Sequence, residues 1–528
     1  MMLRSSSKNH RANQVNSPLP TQEADKSKRN LAAAGVMLVI FLFAIDATIV
    51  STSMPTIVAK LGGLDLYSWV FSIYMLTSAL TTPVFGKLAD LYSKRRLMLI
   101  GIAIFLIGST LCGAAESMQA MIVFRAIQGL GGGAIYALSF IVIGAIFPAD
   151  QRAKMQGIIS GIWGVASVLG PLAGGVIVDH TSWRWIFFVN LPLIAIATAL
   201  IVIGLKEKPS ERRRPNLDVL GAAALLAGLL LIFYALAQSA HAHRSLTGET
   251  AGFLGAGIAV LIFFYFVEKR AAEPLVPLNL FGIGLYRSTT VVATLSAMGV
   301  FGAISYLPLY LQGVLGFSAS RAGLVVLVLS SFWTAGSLLA GRWINSFGYR
   351  VVAAMGTALL SFGYLLFVVP LFGNGLATAI VSASAIGLGM GMANLTTLVA
   401  AQGAVKPQQL GVATSTIMLF RTFGSAFAVS LMGTVMLGSM QQALARLRAA
   451  HAQVDQTLWN KLANPQNLLD PVTRAQIPAE LLPSLSASLG DALWYAFLTG
   501  LVLMLIAVGT SFFMARENTT PTRDKKTN

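Results

Sequence analysis

The sequence predicts an all-α membrane protein of fourteen transmembrane helices, arranged as two six-helix bundles with an extra two-helix hairpin between them. Three observations predict it. First, the 528 residues are 55% hydrophobic and only 11% charged, where a soluble domain holds roughly 25% charged residues. Second, apolar runs long enough to cross a hydrocarbon core of ~30 Å recur along the whole chain. Third, a basic Gly-containing segment recurs: GRWINSFGYR at Gly341–Arg350 echoes GKLADLYSKRR at Gly86–Arg96, with Asn345 where Asp90 stands. Internal repeats of this kind mark transporters built from two related halves.

The apolar runs fall near 31–53, 67–89, 97–115, 119–146, 155–178, 185–205, 218–238, 251–267, 288–312, 322–343, 350–371, 376–399, 411–438 and 491–514. Each must be a helix, because lipid satisfies no backbone polar group. The expected organisation is a tail at 1–30, a six-helix bundle at 31–205, a charged linker at 206–217 and a hairpin at 218–270. A second bundle follows at 271–515, with a long outer segment at 439–490 and a tail at 516–528. An amphipathic helix is expected around Met440–His451. The first apolar run outlasts a signal-peptide core, so it reads as a retained helix.

Charge sets the orientation. Of the 37 Lys and Arg, only Lys60, Arg184, Arg244, Arg321, Arg446, Arg448, Lys461 and Arg474 fall in segments that would lie outside if the N-terminus is cytoplasmic. Arg125 and Arg421 lie within spans, and the rest are inside. This bias predicts both termini in the cytoplasm. The net charge of +17 is spread over short loops and tails. It suits anionic lipid rather than nucleic acid. The single cysteine, Cys112, lies in an apolar span, so no disulfide framework exists.

Several patterns carry no chemistry. GLGGGA at Gly129–Ala134 fits a loose dinucleotide fingerprint but sits in a span without a βαβ context. There is no phosphate-binding G-x-x-x-x-G-K-[ST] and no H-E-x-x-H. The five histidines, His10, His180, His241, His243 and His451, are scattered through tails and loops, so no metal site is expected.

Six segments carry recognisable motifs. In Gly86–Arg96, Asp90 stands among Lys87, Lys94, Arg95 and Arg96, in a stretch read as a short loop. The order resembles the loop between the second and third helices of major facilitator superfamily transporters, Gly-x-Leu-Ala-Asp-Arg-x-Gly-Arg-Lys. Gly86, Leu88, Ala89, Asp90, Lys94 and Arg95 fit it, and Leu91 and Ser93 depart. The resemblance implies a latch between access states, with Asp150 and Arg152 joining the same inner charge cluster. FAIDATIVSTSMP, Phe43–Pro55, resembles the first-helix motif of the fourteen-helix drug:proton antiporter family, with Ile45 replacing Leu. It places Asp46 inside a span, where an ionisable group is a functional hypothesis by default. RAIQGLGGG, Arg125–Gly133, resembles the superfamily's fourth-helix motif. The implied role of Arg125 is proton transfer or organisation of the cavity; a structural partner for a carboxylate is the other reading.

GIWGVASVLGPLAGG, Gly161–Gly175, resembles the superfamily's antiporter motif, carried by Gly161, Gly164, Gly170, Pro171, Gly174 and Gly175. Its glycines leave notches for close helix approach, and Pro171 invites a kink. SWRWIFFVNLP, Ser182–Pro192, resembles the lead-in to the sixth span, where Trp183 and Trp185 suit interfacial anchors. RTFGSAFAVS, Arg421–Ser430, resembles a span-thirteen pattern of the same family, and structural use of Arg421 is favoured over substrate contact.

The resemblance covers about 30–516 and implies the major facilitator fold. The implied activity is proton-driven export of amphipathic, cationic drugs by alternating access in a bacterial cytoplasmic membrane. Asp46 and Arg125 would couple the proton, and no cofactor is needed. Tyr74, Gln128, Tyr306 and Trp333 are candidate cavity residues. The expected partners are small molecules, protons and lipid, with a periplasmic adaptor as an open case. Two other readings stand beside it: a dedicated exporter of one metabolite, such as a siderophore or amino acid, and a transporter-like receptor. Neither is an enzyme.

Overall fold

The computed structural model describes residues 26–147, 149–205, 218–241, 248–271, 274–369, 375–406, 409–450 and 481–514. The charged linker 206–217, most of the outer segment after residue 450, and both tails except Lys26–Asn30 lie outside these residues. All regular structure among the described residues is helical. The elements are α1 (Lys26–Leu61), α2 (Tyr67–Leu91), α3 (Lys94–Gly113), α4 (Met118–Ile146), α5 (Ala149–His180), a short α6 (Trp185–Phe188) and α7 (Asn190–Gly204). They continue with α8 (Val219–His241), α9 (Gly248–Arg270), α10 (Gly284–Leu309), α11 (Ala319–Val368), α12 (Leu376–Gly403), α13 (Leu410–Ala450) and α14 (Leu482–Ser511).

Eleven helices are long and apolar enough to cross a membrane among the described residues. One of them, α11, runs 50 residues and changes direction at Gly348, whose φ of 76° lies in the left-handed region that favours glycine. Thus GRWINSFGYR is a helix–kink–helix corner, not a loop. GKLADLYSKRR is likewise almost wholly helical: α2 runs on through Asp90 to Leu91, and only Tyr92 and Ser93 separate it from α3. The Ser93 hydroxyl accepts the Arg96 N–H at 3.2 Å and caps α3. A hydroxyl cap lets the turn shrink to two residues. The expected amphipathic helix at 440–451 is not separate either; its described part continues α13 to Ala450.

The first bundle packs α4 against α2 and α3, and α1 against α5, α7 and α4. The second packs α10 against α12, α13 and α14, and α11 against α12 and α14. The two meet where α2 lies on α13 and α5 lies on α11. Within the hairpin, α8 reaches both halves. Its Phe233 ring meets Trp69 of α2 edge-on at 6.4 Å, and its Leu236 carbonyl accepts the Thr434 hydroxyl of α13 at 2.8 Å. By contrast, α9 stands on the outside of the bundle, with Ile258, Ile262, Phe263 and Phe266 exposed. In a membrane protein such a face belongs to lipid.

One end of the seam between the halves is closed. The Tyr67 hydroxyl donates to the Ser305 carbonyl, and its ring stacks on Tyr306 at 5.6 Å. Gln312 Nε2 donates to the Thr52 carbonyl at 3.0 Å, Ser72 Oγ to the Ala426 carbonyl at 2.9 Å, and the Ser320 N–H to Asp179 Oδ2 at 2.9 Å. These contacts join α1, α2 and α5 to α10, the segment Tyr310–Val314 that follows it, α11 and α13.

A buried ion pair as the candidate functional site

The site grows from three helices. Asp46 lies midway along α1, with Arg125 and Gln128 one turn apart on α4. The glycines that follow in α4 let it press onto α2. A Cβ at Gly129 would stand 2.1 Å from Thr77 Oγ1 and 2.6 Å from the Tyr74 carbonyl oxygen. That approach carries the Arg125 guanidinium over the Tyr74 ring, 3.9 Å from its centre, and on to α1.

There Arg125 NH1 donates to Asp46 Oδ2 at 2.8 Å and to Gln128 Oε1 at 2.8 Å. Gln128 Nε2 donates to Asp46 Oδ1 at 2.9 Å, closing a ring of three side chains. Arg125 Nε reaches the Val70 carbonyl at 3.4 Å, and the Cys112 thiol sits 3.6 Å from Gln128 Oε1. Asp46, Gln128 and Cys112 are fully buried, and Arg125 is 1% exposed. Both carboxylate oxygens therefore have donors and the guanidinium has a counter-ion, the condition under which a charge survives away from water. A proton arriving at Asp46 would have to displace a donor at one oxygen and would leave Arg125 without its negative partner.

The antiporter-motif glycines lie beside this ring. A Cβ at Gly170 would fall 2.0 Å from Thr48 Oγ1, and one at Gly174 2.5 Å from Thr52 Oγ1 and 2.8 Å from the Ile49 carbonyl. At Gly175 it would meet α11, 2.6 Å from the Ser320 Cα. The Pro171 carbonyl faces Gly323 of α11, where an added Cβ would stand at 2.3 Å. These glycines wedge α5 between α1, the helix of Asp46, and α11 of the other half. Gly161 differs: no atom lies within 4 Å of its Cβ direction, so it is not a notch in this conformation. The surroundings of Gly164 are outside the description.

The remaining sequence candidates scatter. Tyr74 and Gln128 join the ion pair. Tyr306 is fully buried, with its hydroxyl donating to the Val429 carbonyl at 2.6 Å; it belongs to the closed seam. Trp333 is partly buried in the large core around that seam. Gly86 and the first-turn residues Lys94 and Arg95 frame the α2–α3 corner, while the side chains of Asp90, Asp150 and Arg152 lie outside the described residues. Trp185 is 56% exposed, as an interfacial anchor would be, but Trp183 is buried. The Arg184 guanidinium covers its ring at 4.5 Å, and Phe187 meets it edge-on. Arg421 is buried, and among the described residues its guanidinium has only Met418 Sδ, at 3.9 Å, as a hydrogen-bond partner. Sequence reasoning named Asp46 and Arg125 as coupling residues and Gln128 as a cavity residue, without joining the three. The i, i+3 spacing of Arg125 and Gln128 puts both on one helix face and was the available signal.

Comparison with known proteins agrees with this architecture. Over 510 residues the chain is 34% identical to the "Multidrug transporter protein MdtP" of Bacillus subtilis, covering 93% of this chain and 94% of that protein. It is 31% identical over 516 residues to "Multidrug resistance protein 3" of the same organism, covering 97% and 100%. Among solved structures, a bacterial homologue of the human lysosomal transporter Spinster, in an inward-facing and unoccupied conformation, superposes with a TM-score of 0.69 at 17% identity. That match covers 93% of this chain and 97% of that one. Residues 36–429 match the Major Facilitator Superfamily. The chain is therefore a multi-pass integral membrane transporter, not an enzyme, and belongs to the Major Facilitator Superfamily.

Proposed function

We propose that the protein is a proton-coupled antiporter that exports amphipathic, cationic drugs or toxic compounds across a bacterial cytoplasmic membrane. The single observation that carries the coupling is the sealed Asp46–Arg125–Gln128 ring, in which a proton and a cation compete for one carboxylate. The names borne by the two Bacillus relatives support drugs as the cargo. The proton gradient supplies the work, so no cofactor is required.

The Lys and Arg distribution assigns both termini to the cytoplasm. On that assignment the closed end of the seam faces outward, and we read the conformation as inward-facing. Fourteen spans satisfy this alternation if α5 and α8 also cross and α11 counts twice. In the inward-facing state Asp46 is ionised and held by Arg125. A cationic substrate entering from the cytoplasm is drawn by the same carboxylate. Opening to the outside lets a proton neutralise Asp46 and frees the cation to leave. The proton is released inside when the transporter returns and Arg125 takes the Asp46 carboxylate back as its counter-ion at 2.8 Å.

Energised inside-out vesicles test this. Wild-type protein should accumulate a fluorescent lipophilic cation and release protons from the lumen as it does so, and an uncoupler should stop both. Cation accumulation that persists at the full rate without a proton gradient would exclude the antiport reading.

A further inference from the structure

A second pair of acids lies far from the ion pair, at the foot of the α8–α9 hairpin. Asp218 immediately precedes α8, and its Oδ1 accepts the Gly221 N–H at 2.7 Å as a helix cap. Glu268 stands in the last turn of α9, is 2% exposed, and accepts the Val276 N–H at Oε1. The two carboxyl groups meet each other. Each keeps one oxygen, Asp218 Oδ2 and Glu268 Oε2, that is buried and accepts from no donor. Two interacting carboxyl groups held out of water repel if both are ionised; one proton shared by the pair supplies a donor that neither has. Beside the pair is a cavity of about 540 Å³ lined by Glu268, Lys269, Pro274, Leu278 and Gln409, among others. It offers a route for a proton from the adjoining aqueous side. Among the described residues the charged groups at this corner are Asp218, which precedes α8, and Glu268, Lys269 and Arg270 at the end of α9; the 274–280 segment and the start of α13 bring only neutral groups.

We infer that Asp218 and Glu268 form a second proton-binding site, holding one shared proton that fastens the hairpin to the second bundle. The fastening has a geometric basis. Glu268 ties the end of α9 to Val276 on the segment that enters α10, and Asp218 caps α8, which touches both α2 and α13. With the proton bound, the foot of α8, the foot of α9 and the entry to α10 form one hydrogen-bonded corner. Without it, two negative charges face each other and the corner opens. The group is a proton-holding acid, so the stabilisation is present at low pH and is lost as pH rises. This site is independent of Asp46 and does not depend on the identity of the exported compound.

The test uses the purified full-length protein in lipid nanodiscs. Glu268→Gln keeps an acceptor for Val276 and places an N–H where the shared proton would be; Asp218→Asn does the same from the other side while keeping the cap. We expect the wild-type melting temperature to fall by about 2–4 °C between about pH 6 and pH 9, the scale on which one lost interaction moves a large domain. Both variants should flatten that fall, and Asp46→Asn should not. Infrared difference spectra between the two pH values should show a protonated carboxyl signal that each single variant removes. An identical pH slope in Glu268→Gln and wild type, or a carboxyl signal that survives both variants, would overturn the proposal. So would a divalent cation that raises the wild-type melting temperature but not that of Glu268→Gln, because the pair would then hold a metal.

Discussion

Asp46 on α1 and Arg125 on α4, 79 positions apart in the chain, form an ion pair at 2.8 Å with both side chains sealed from solvent. Gln128 bridges them. Deleting either charge leaves the other buried and unpaired, an outcome that costs about 3–5 kcal/mol where it has been measured. Asp46→Asn should therefore melt at a lower temperature than wild type and lose proton-coupled cation export. The double variant Asp46→Asn/Arg125→Gln should recover part of the melting temperature but none of the coupling. Additive losses in this double-mutant cycle would show that the pair contributes no mutual stability. Wild-type cation export by Asp46→Asn in energised vesicles would remove the residue from the mechanism.

The α5 glycines make a graded prediction. Gly170→Ala drives its Cβ toward Thr48 Oγ1 and should cost about 1–3 kcal/mol, the range for overpacking a tight contact. Adding Thr48→Ala removes the oxygen that it meets and should restore much of the loss. Gly161→Ala, with open space before it, should melt with the wild type. A thermal-shift series in detergent separates the three; equal losses at 161 and 170 would contradict the packing account.

The closed seam should be adjustable. Tyr67→Phe removes the hydroxyl that donates to the Ser305 carbonyl and keeps the ring stacked on Tyr306. The net value of such a bond is about 0.5–1.5 kcal/mol, so the balance of access states should shift by a factor of about 2 to 10 toward opening at this end. Distances between spin labels on α5 and α11 would report the shift; an unchanged distribution in Tyr67→Phe and Gln312→Ala alike would assign the seam no part in gating.

Asp90 is expected to tune the same balance from the opposite end. Asp90→Asn should insert normally and slow turnover, since a carboxylate that Lys94, Arg95 and Arg96 follow closely in the sequence is replaced by a neutral group of equal size. Unaltered export at equal protein level in vesicles would count against a latch.

Much of this architecture was legible in the residues. A bilayer forces every crossing segment to be an apolar helix, so hydropathy located α4, α10 and α12 closely. Helix ends were less legible, because a chain can continue helical past the apolar run where a side-chain cap or a glycine allows it. Ser93 capping α3 and Gly348 turning α11 are the instances, and together they turned two expected loops into helical corners.

The sequence by itself determined the class of the molecule, its helical periodicity, and that Asp46 and Arg125 would be charges in a medium hostile to them. Only the tertiary structure decided that the two pay for each other's burial through Gln128, because sequence spacing sets which face of a helix a residue occupies but not which helix that face meets. The same holds for Tyr306, buried in the seam against Tyr67, and for Asp218 and Glu268. Nothing in their sequence context joins those two acids; the fold brings their carboxyl groups together and leaves one buried oxygen on each without a donor.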